Sequence, residues 1–179
     1  MPNKPEQIRE KTLILRVRLD DEMAFNELLG LYGPRIWKFT ERMLQSTPHR
    51  IDDVNQEIWI SIFRRIHLLR DLEKFKPWAF RIARDRVYEE YRKNKRTGET
   101  ITLEEIVEEA EETSVPDFEE IRAGLDRLSE THKEVLWLRY MDDLSYEEIA
   151  QIVNASPGTV RSRIHYGKAA LRKAIEQNL

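Results

Sequence analysis

Apolar residues in this chain recur at i, i+3 and i+4 from near its start to its end, and strict apolar–polar alternation never persists. That pattern admits only helical architectures, because alternation is what lets a half-buried strand place its apolar side chains on one face. It predicts helices at 6–18, 21–45, 51–69, 76–95, 117–127, 130–141, 146–153 and 157–176. Asp20 is read as the N-cap for the second of these. Gly33-Pro34 is expected to divide or kink that helix, since proline removes a backbone donor and clashes one turn back. Hydrophobic residues make up 40% of the chain and charged residues 35%, so a core forms only if amphipathic helices share it. The expected fold class is all-α.

Charge divides the chain. The net charge of −3 hides 21 Lys and Arg against 15 Asp and Glu in residues 1–96. Residues 97–118 hold eight carboxylates and no basic side chain. With one Gly, one Pro and little aromatic content, that stretch has no means of building its own core, and we read it as an acidic linker. It separates an N-terminal domain, 1–96, from a C-terminal one, 119–179, whose tip is again basic through Arg161, Arg163, Lys168, Arg172 and Lys173. Its 22 residues would span about 25 Å as a flexible coil.

The segment LSYEEIAQIVNASPGTVRSRIHYGKAALRKAI carries the most specific local signal. Ser145 followed by Glu148 forms a capping box. Asn154-Ala155 makes a tight turn, Ser156 is the next N-cap, and Pro157 sits at the first helical position, where its missing N–H costs nothing. Two helices joined by such a turn form a helix-turn-helix. At about 100° per residue, Val160, Ile164, Gly167, Leu171 and Ile175 share one core-facing stripe. Ser162, His165, Tyr166, Ala169, Arg172 and Lys173 lie opposite, flanked by Arg161 and Lys168. An outward face that is basic, hydrogen-bonding and fairly small suits a helix entering the major groove. Ser156 and Thr159, at the helix start, are placed to meet phosphate oxygens. A solvated amphipathic hairpin is the plainer alternative.

These residues resemble region four of the extracytoplasmic-function sigma factors, the smallest members of the primary sigma superfamily. The likeness rests on L-S-Y-E-E-I-A, G-T-V-R-S-R-I-H and A-L-R, with LDRLSETHKEVLWLRYMDD matching the helices before them. DDEMAFNELLGLYGPRIWKFTERML, IDDVNQEIWISIFRRI and FKPWAFRIARDRVYEEYRKNKR resemble region two. The resemblance covers roughly 20–96 and 120–176.

The resemblance implies a subunit that binds core RNA polymerase and directs it to promoter DNA. Region four would read the minus-thirty-five element through Ser156, Thr159, Arg161, Ser162, Arg163, His165, Lys168 and Arg172. The helix bearing Asp52, Asp53, Gln56 and Glu57, with the apolar Ile58 and Trp59, would dock on the polymerase clamp. An ordinary acidic helix start is the alternative there. The loop around 67–74 and the following helix would capture minus-ten DNA as a single strand through His67, Arg70, Lys74, Arg81, Arg84, Tyr88 and Arg92. Unpaired bases need such a cationic track with stacking surfaces. Trp78, Phe80 and Ile82 are expected in the core. Asp85 stands where the family shows Asn, and its acceptor-only carboxylate repels phosphate. The linker would thread the RNA path of polymerase, or serve simply as an acidic tether. Many relatives are held by an anti-sigma factor, so the resemblance implies such a partner here too.

Enzymatic roles find little support. His49, His67, His132 and His165 are scattered, without ligand spacing to carboxylates, and no Gly-rich phosphate loop occurs. With no cysteine, there is no thiolate metal site. We expect no cofactor and no metal. No apolar run reaches the roughly 20 residues that span a bilayer, and MPNKPEQIREK lacks the apolar segment of a signal peptide, so the expectation is a cytoplasmic chain without membrane insertion. A stand-alone regulator would explain the C-terminus but leave the N-terminal acidic and basic-aromatic helices without a role. A helical adaptor fits the basic face poorly.

Overall fold

The computed structural model describes residues 4–45, 47–96 and 118–176, which contain eight α-helices and no strand. They are α1 (Lys4–Val17), α2 (Glu22–Met43), α3 (Ile51–Arg65), α4 (Phe75–Arg96), α5 (Phe118–Asp126), α6 (Glu130–Tyr140), α7 (Tyr146–Val153) and α8 (Pro157–Glu176). The chain divides into two compact units, Met1–Thr97 and Gly98–Leu179. The stretch 97–118, read as a linker, lies outside the described residues except for Phe118, which opens α5.

In the first unit α1 packs on α2, and α2 packs on both α3 and α4. The start of α2 corrects one expectation. Asp21, not Asp20, is the N-cap, accepting from the Ala24 amide at 3.0 Å while Arg16 donates to its other oxygen at 2.8 Å. These hydrogen bonds hold the Asp21 carboxyl below the usual carboxylate range. Asp20 instead takes a left-handed backbone conformation, φ 59°, in the turn that ends α1. Asp tolerates that region better than most residues, so two adjacent acids divide stopping and starting between them.

Pro34 does not divide α2, which runs unbroken from Glu22 to Met43. Pro34 and Gly30 are both exposed, so the carbonyl freed by the missing N–H faces water. On the opposite side Leu28, Tyr32, Ile36 and Phe39 are buried and hold the helix to the core. α3 ends at Arg65, four residues before the expected boundary, and Ile66–Leu68 continues as a single 3₁₀ turn. Phe39 meets Phe80 edge-on at 5.8 Å, and Tyr32 meets Phe75 at 5.0 Å. Phe80 and Ile82 are core residues as expected, while Trp78 is half-buried against Phe75.

In the second unit α8 is the central strut, touched by α5, α6 and α7. The capping box closes as read: the Ser145 hydroxyl accepts from the Glu148 amide at 3.2 Å, and the Glu148 carboxylate accepts from the Ser145 amide at 2.8 Å. Replacing Ser145 with Ala is expected to lower the unfolding free energy of this unit by about 1 kcal/mol, measured by chemical denaturation. Asn154 ends α7 in the left-handed conformation, φ 53°. Gly167 lets α8 approach α6 closely, because a Cβ there would sit 3.3 Å from His132 and Leu136 side-chain carbons. Of the predicted stripe, Val160, Ile164 and Gly167 are buried. Leu171 and Ile175 are half-buried against Gly124 of α5, a helix of only nine residues.

Candidate nucleic-acid interface

The turn between α7 and α8 delivers one continuous exposed face. Ser156, Thr159, Arg161, Ser162, His165, Lys168 and Arg172 are all exposed, and Arg163 is half-buried at its edge. Ser156 acts first as a cap: its Oγ accepts from the Thr159 amide at 3.0 Å and lies 2.8 Å from the Thr159 hydroxyl. Ser162 donates its hydroxyl to the Gly158 carbonyl at 3.1 Å, which leaves its oxygen outward as an acceptor. The Arg161 guanidinium lies 5.7 Å from the centre of the Tyr146 ring, and that of Arg139 lies 5.4 Å from it. Arg161 is thereby held beside the start of α7 by cation–π attraction.

A second cationic face runs along α4. Arg81, Arg84, Tyr88 and Arg92 follow one another at three- and four-residue steps, so they form a single stripe. Arg81 and Arg92 are exposed, and between them the Arg84 guanidinium sits 4.3 Å over the Tyr88 ring. Asp85 is exposed beside this stripe, 3.8 Å from Arg84. Its charge is opposed locally, and the carboxylate still weakens attraction for phosphate at that point.

Arg86 and Tyr91 belong elsewhere. Arg86 donates to Ser61 at 2.9 Å and to Glu89 at 2.7 Å, with Glu57 4.0 Å away. The Tyr91 hydroxyl donates to the Met43 carbonyl, which ties α4 to the end of α2. Before α4, the segment 66–74 presents His67, Leu68, Arg70 and Lys74 to solvent while Ile66 and Leu69 point inward. Asp71 caps the small turn Leu72–Lys74 by accepting from the Glu73 amide at 3.0 Å.

The acidic start of α3 forms a third surface. Asp52, Asp53 and Gln56 are exposed and Glu57 is half-buried. Asp53 pairs with Arg50 at 2.5 Å. Arg50 also reaches the buried Glu90 at 3.0 Å, and the hydrogen bond and charge of Glu90 raise the Arg50 pKa further. Trp59 corrects the sequence reading. It is 9% exposed, with its ring edge-on to Phe25 at 5.9 Å, so it supports α3 from beneath and offers no docking surface. The apolar groups presented on α3 are instead Ile60 and Phe63, at 45% and 40% exposure. They continue the row of Gln56 at helical spacing, a signal present in the sequence but hidden by the neighbouring apolar residues that turn inward.

Comparison with known proteins decides what this combination belongs to. The model of Sigma-70 region 2 matches residues 28–97, and that of Sigma-70 region 4 matches 118–171. The ECF RNA polymerase sigma factor SigW of Bacillus subtilis is 30% identical over 92% of this chain and 96% of its own length. The ECF RNA polymerase sigma-E factor of Escherichia coli K12 is 30% identical over 96% of both. The chain belongs to the ECF family of RNA polymerase sigma factors.

The fold agrees with that of two solved structures. The sigma factor RpoE of Bartonella quintana, solved with the anti-sigma factor NepR, gives a TM-score of 0.69 at 23% identity, covering 85% of this chain and 96% of that one. CnrH, solved with the cytosolic domain of CnrY, gives 0.71 at 18% identity, covering 96% and 99%. This sigma factor is a promoter-directing subunit of RNA polymerase and not an enzyme. No helix among its described residues is long and apolar enough to cross a membrane.

Proposed function

We propose that this sigma factor divides promoter reading between its two halves. Residues 119–179 read the minus-thirty-five element by laying α8 in the major groove, with Arg161, Ser162 and His165 toward base edges and Lys168 and Arg172 toward the backbone. Ser156 and Thr159 meet phosphate at the helix N-terminus. Residues 1–96 capture the minus-ten strand with the α4 stripe and the 66–74 loop, and residues 97–118 tether the two. The protein works in the cytoplasm. An anti-sigma factor is a further partner, supported by the complex in which the sigma factor RpoE was solved with the anti-sigma factor NepR.

The observation that carries this reading is the Arg84 guanidinium stacked on Tyr88 between two exposed arginines. A stacked pair in a cationic track suits an unpaired strand, which a stand-alone duplex reader has no need to hold. Run-off transcription by core polymerase with the full chain, on a genomic library, tests it. Start sites sharing paired minus-thirty-five and minus-ten sequences are expected, and initiation that depends on only one of the two would overturn the division.

Polymerase docking is assigned to Asp52, Asp53, Gln56 and Glu57, extended along α3 by Ile60 and Phe63. Replacing Asp53 and Gln56 together with Ala is expected to weaken core polymerase binding about tenfold, or about 1.4 kcal/mol. Helical content should not change, because both are exposed and the Arg50–Asp53 pair contributes about 1 kcal/mol at most. Normal holoenzyme formation by the double variant would remove the assignment.

A further inference from the structure

The loop that precedes α4 is held from a distance. Arg18, just past the end of α1, donates from Nε to the Ile66 carbonyl at 3.2 Å and from Nη2 to the Leu69 carbonyl. The same Ile66 carbonyl accepts from the Leu69 amide at 3.3 Å, closing the turn. The side chains of Ile66 and Leu69 are buried, whereas His67, Leu68 and Arg70 point to solvent, Leu68 at 64% exposure. One guanidinium fork therefore bridges both ends of a four-residue turn whose middle residues face outward. A rigid planar fork fixes the separation of the two carbonyls, which an ammonium on a flexible stem does not. Farther along, Lys11 of α1 meets Glu73 at 2.6 Å, so α1 grips the segment at two places.

We propose that Arg18 is a positioning residue for minus-ten recognition: its fork holds the 66–69 turn in the shape that presents His67, Leu68 and Arg70 to an unpaired base. Arg18 is half-buried with two of its donors committed to carbonyls, so it acts through the loop and not as a DNA contact. Preorganisation is what the fork supplies, since a loop ordered before binding loses less freedom on binding and accepts fewer wrong geometries. The inference rests on the reading of 66–74 as a minus-ten element.

The test uses the full chain in holoenzyme, on promoters already melted across the minus-ten segment, with each unpaired base substituted in turn. The readout is the ratio of affinities for preferred and substituted bases. Arg18→Lys keeps the charge and removes the fork, and is expected to lower that ratio about tenfold at one or two positions. Polymerase affinity and dependence on the minus-thirty-five sequence should stay as they were. A ratio compares two DNAs bound by the same folded population, so a variant that merely folds less well lowers both affinities and leaves the ratio intact. That outcome overturns the proposal. His67→Ala with Leu68→Ala serves as the second arm. If this pair loses discrimination while Arg18→Lys retains it, Arg18 is only a structural tie. If both retain it, the loop reading itself falls and the inference with it.

Discussion

Replacing Phe39 with Ala is expected to lower the stability of the N-terminal unit by about 3–5 kcal/mol, the range for emptying a fully buried aromatic site. Phe39 is 0% exposed and lies edge-on to Phe80, where α2 meets α4. The backbone around it is helical and relaxes little, so most of the cavity would persist. A domain of ordinary stability has about 5–15 kcal/mol in total, so much of its margin disappears. In a unit of this size the melting midpoint should fall by roughly 12–40 °C. The transition of α5–α8 should stay where it is, because the two compact units have separate cores. Differential scanning calorimetry on the full chain checks both statements. One transition that moves as a whole would mean that the units unfold together. On the proposed assignments, polymerase binding and minus-ten capture should fail together, since α3 and α4 both pack on α2.

Arg161 and Arg172 are expected to separate base reading from phosphate binding on a single helix. Arg161→Ala should cost about 1–3 kcal/mol on the preferred minus-thirty-five sequence and relax preference at one or two base pairs. Its guanidinium lies within cation–π reach of the Tyr146 ring, so the ring helps to hold Arg161 in place. Tyr146→Phe, which keeps the ring, should then read DNA normally, and Tyr146→Ala should reproduce part of the Arg161 defect. Arg172→Ala should weaken binding nearly equally on all sequences and lower the salt slope by about one. Binding of holoenzyme to a minus-thirty-five substitution series at several salt concentrations distinguishes the two. If Arg161→Ala lowers affinity uniformly with every base preference intact, Arg161 is a phosphate anchor and the orientation assigned to α8 is wrong.

Features set by near neighbours in the chain could be read directly. Ser145 and Glu148 stand three apart, Ser156 precedes Pro157, and the interactions that start α7 and α8 close within one helical turn. The same holds for the stripe Arg81, Arg84, Tyr88 and Arg92, because helical periodicity alone places those side chains together. Where two local rules competed, the sequence was ambiguous. Asp20 and Asp21 are both good caps, and the choice depended on Arg16 reaching Asp21 across the turn. Pro34 does not end α2, because burial of Tyr32, Ile36 and Phe39 outweighs one hydrogen bond lost to water.

By itself, then, the sequence determined the helical class, the caps of α7 and α8, the basic face of α8 and the family to which the regions correspond. Tertiary structure alone decided which side of each helix faces solvent when apolar residues ring it. Trp59 and Phe63 both lie edge-on to Phe25, yet packing buried Trp59 and left Ile60 and Phe63 partly exposed, a difference that the run of apolar residues on α3 obscures. It also decided that Arg86 pairs with Ser61 and Glu89 and does not join the Arg81, Arg84, Tyr88 and Arg92 stripe. The Arg18 fork is the clearest case. Its two acceptors lie 48 and 51 residues away, and they are backbone carbonyls, which every residue carries. No side-chain pattern can encode such a partner, because only the packing of α1 brings Arg18 to that turn.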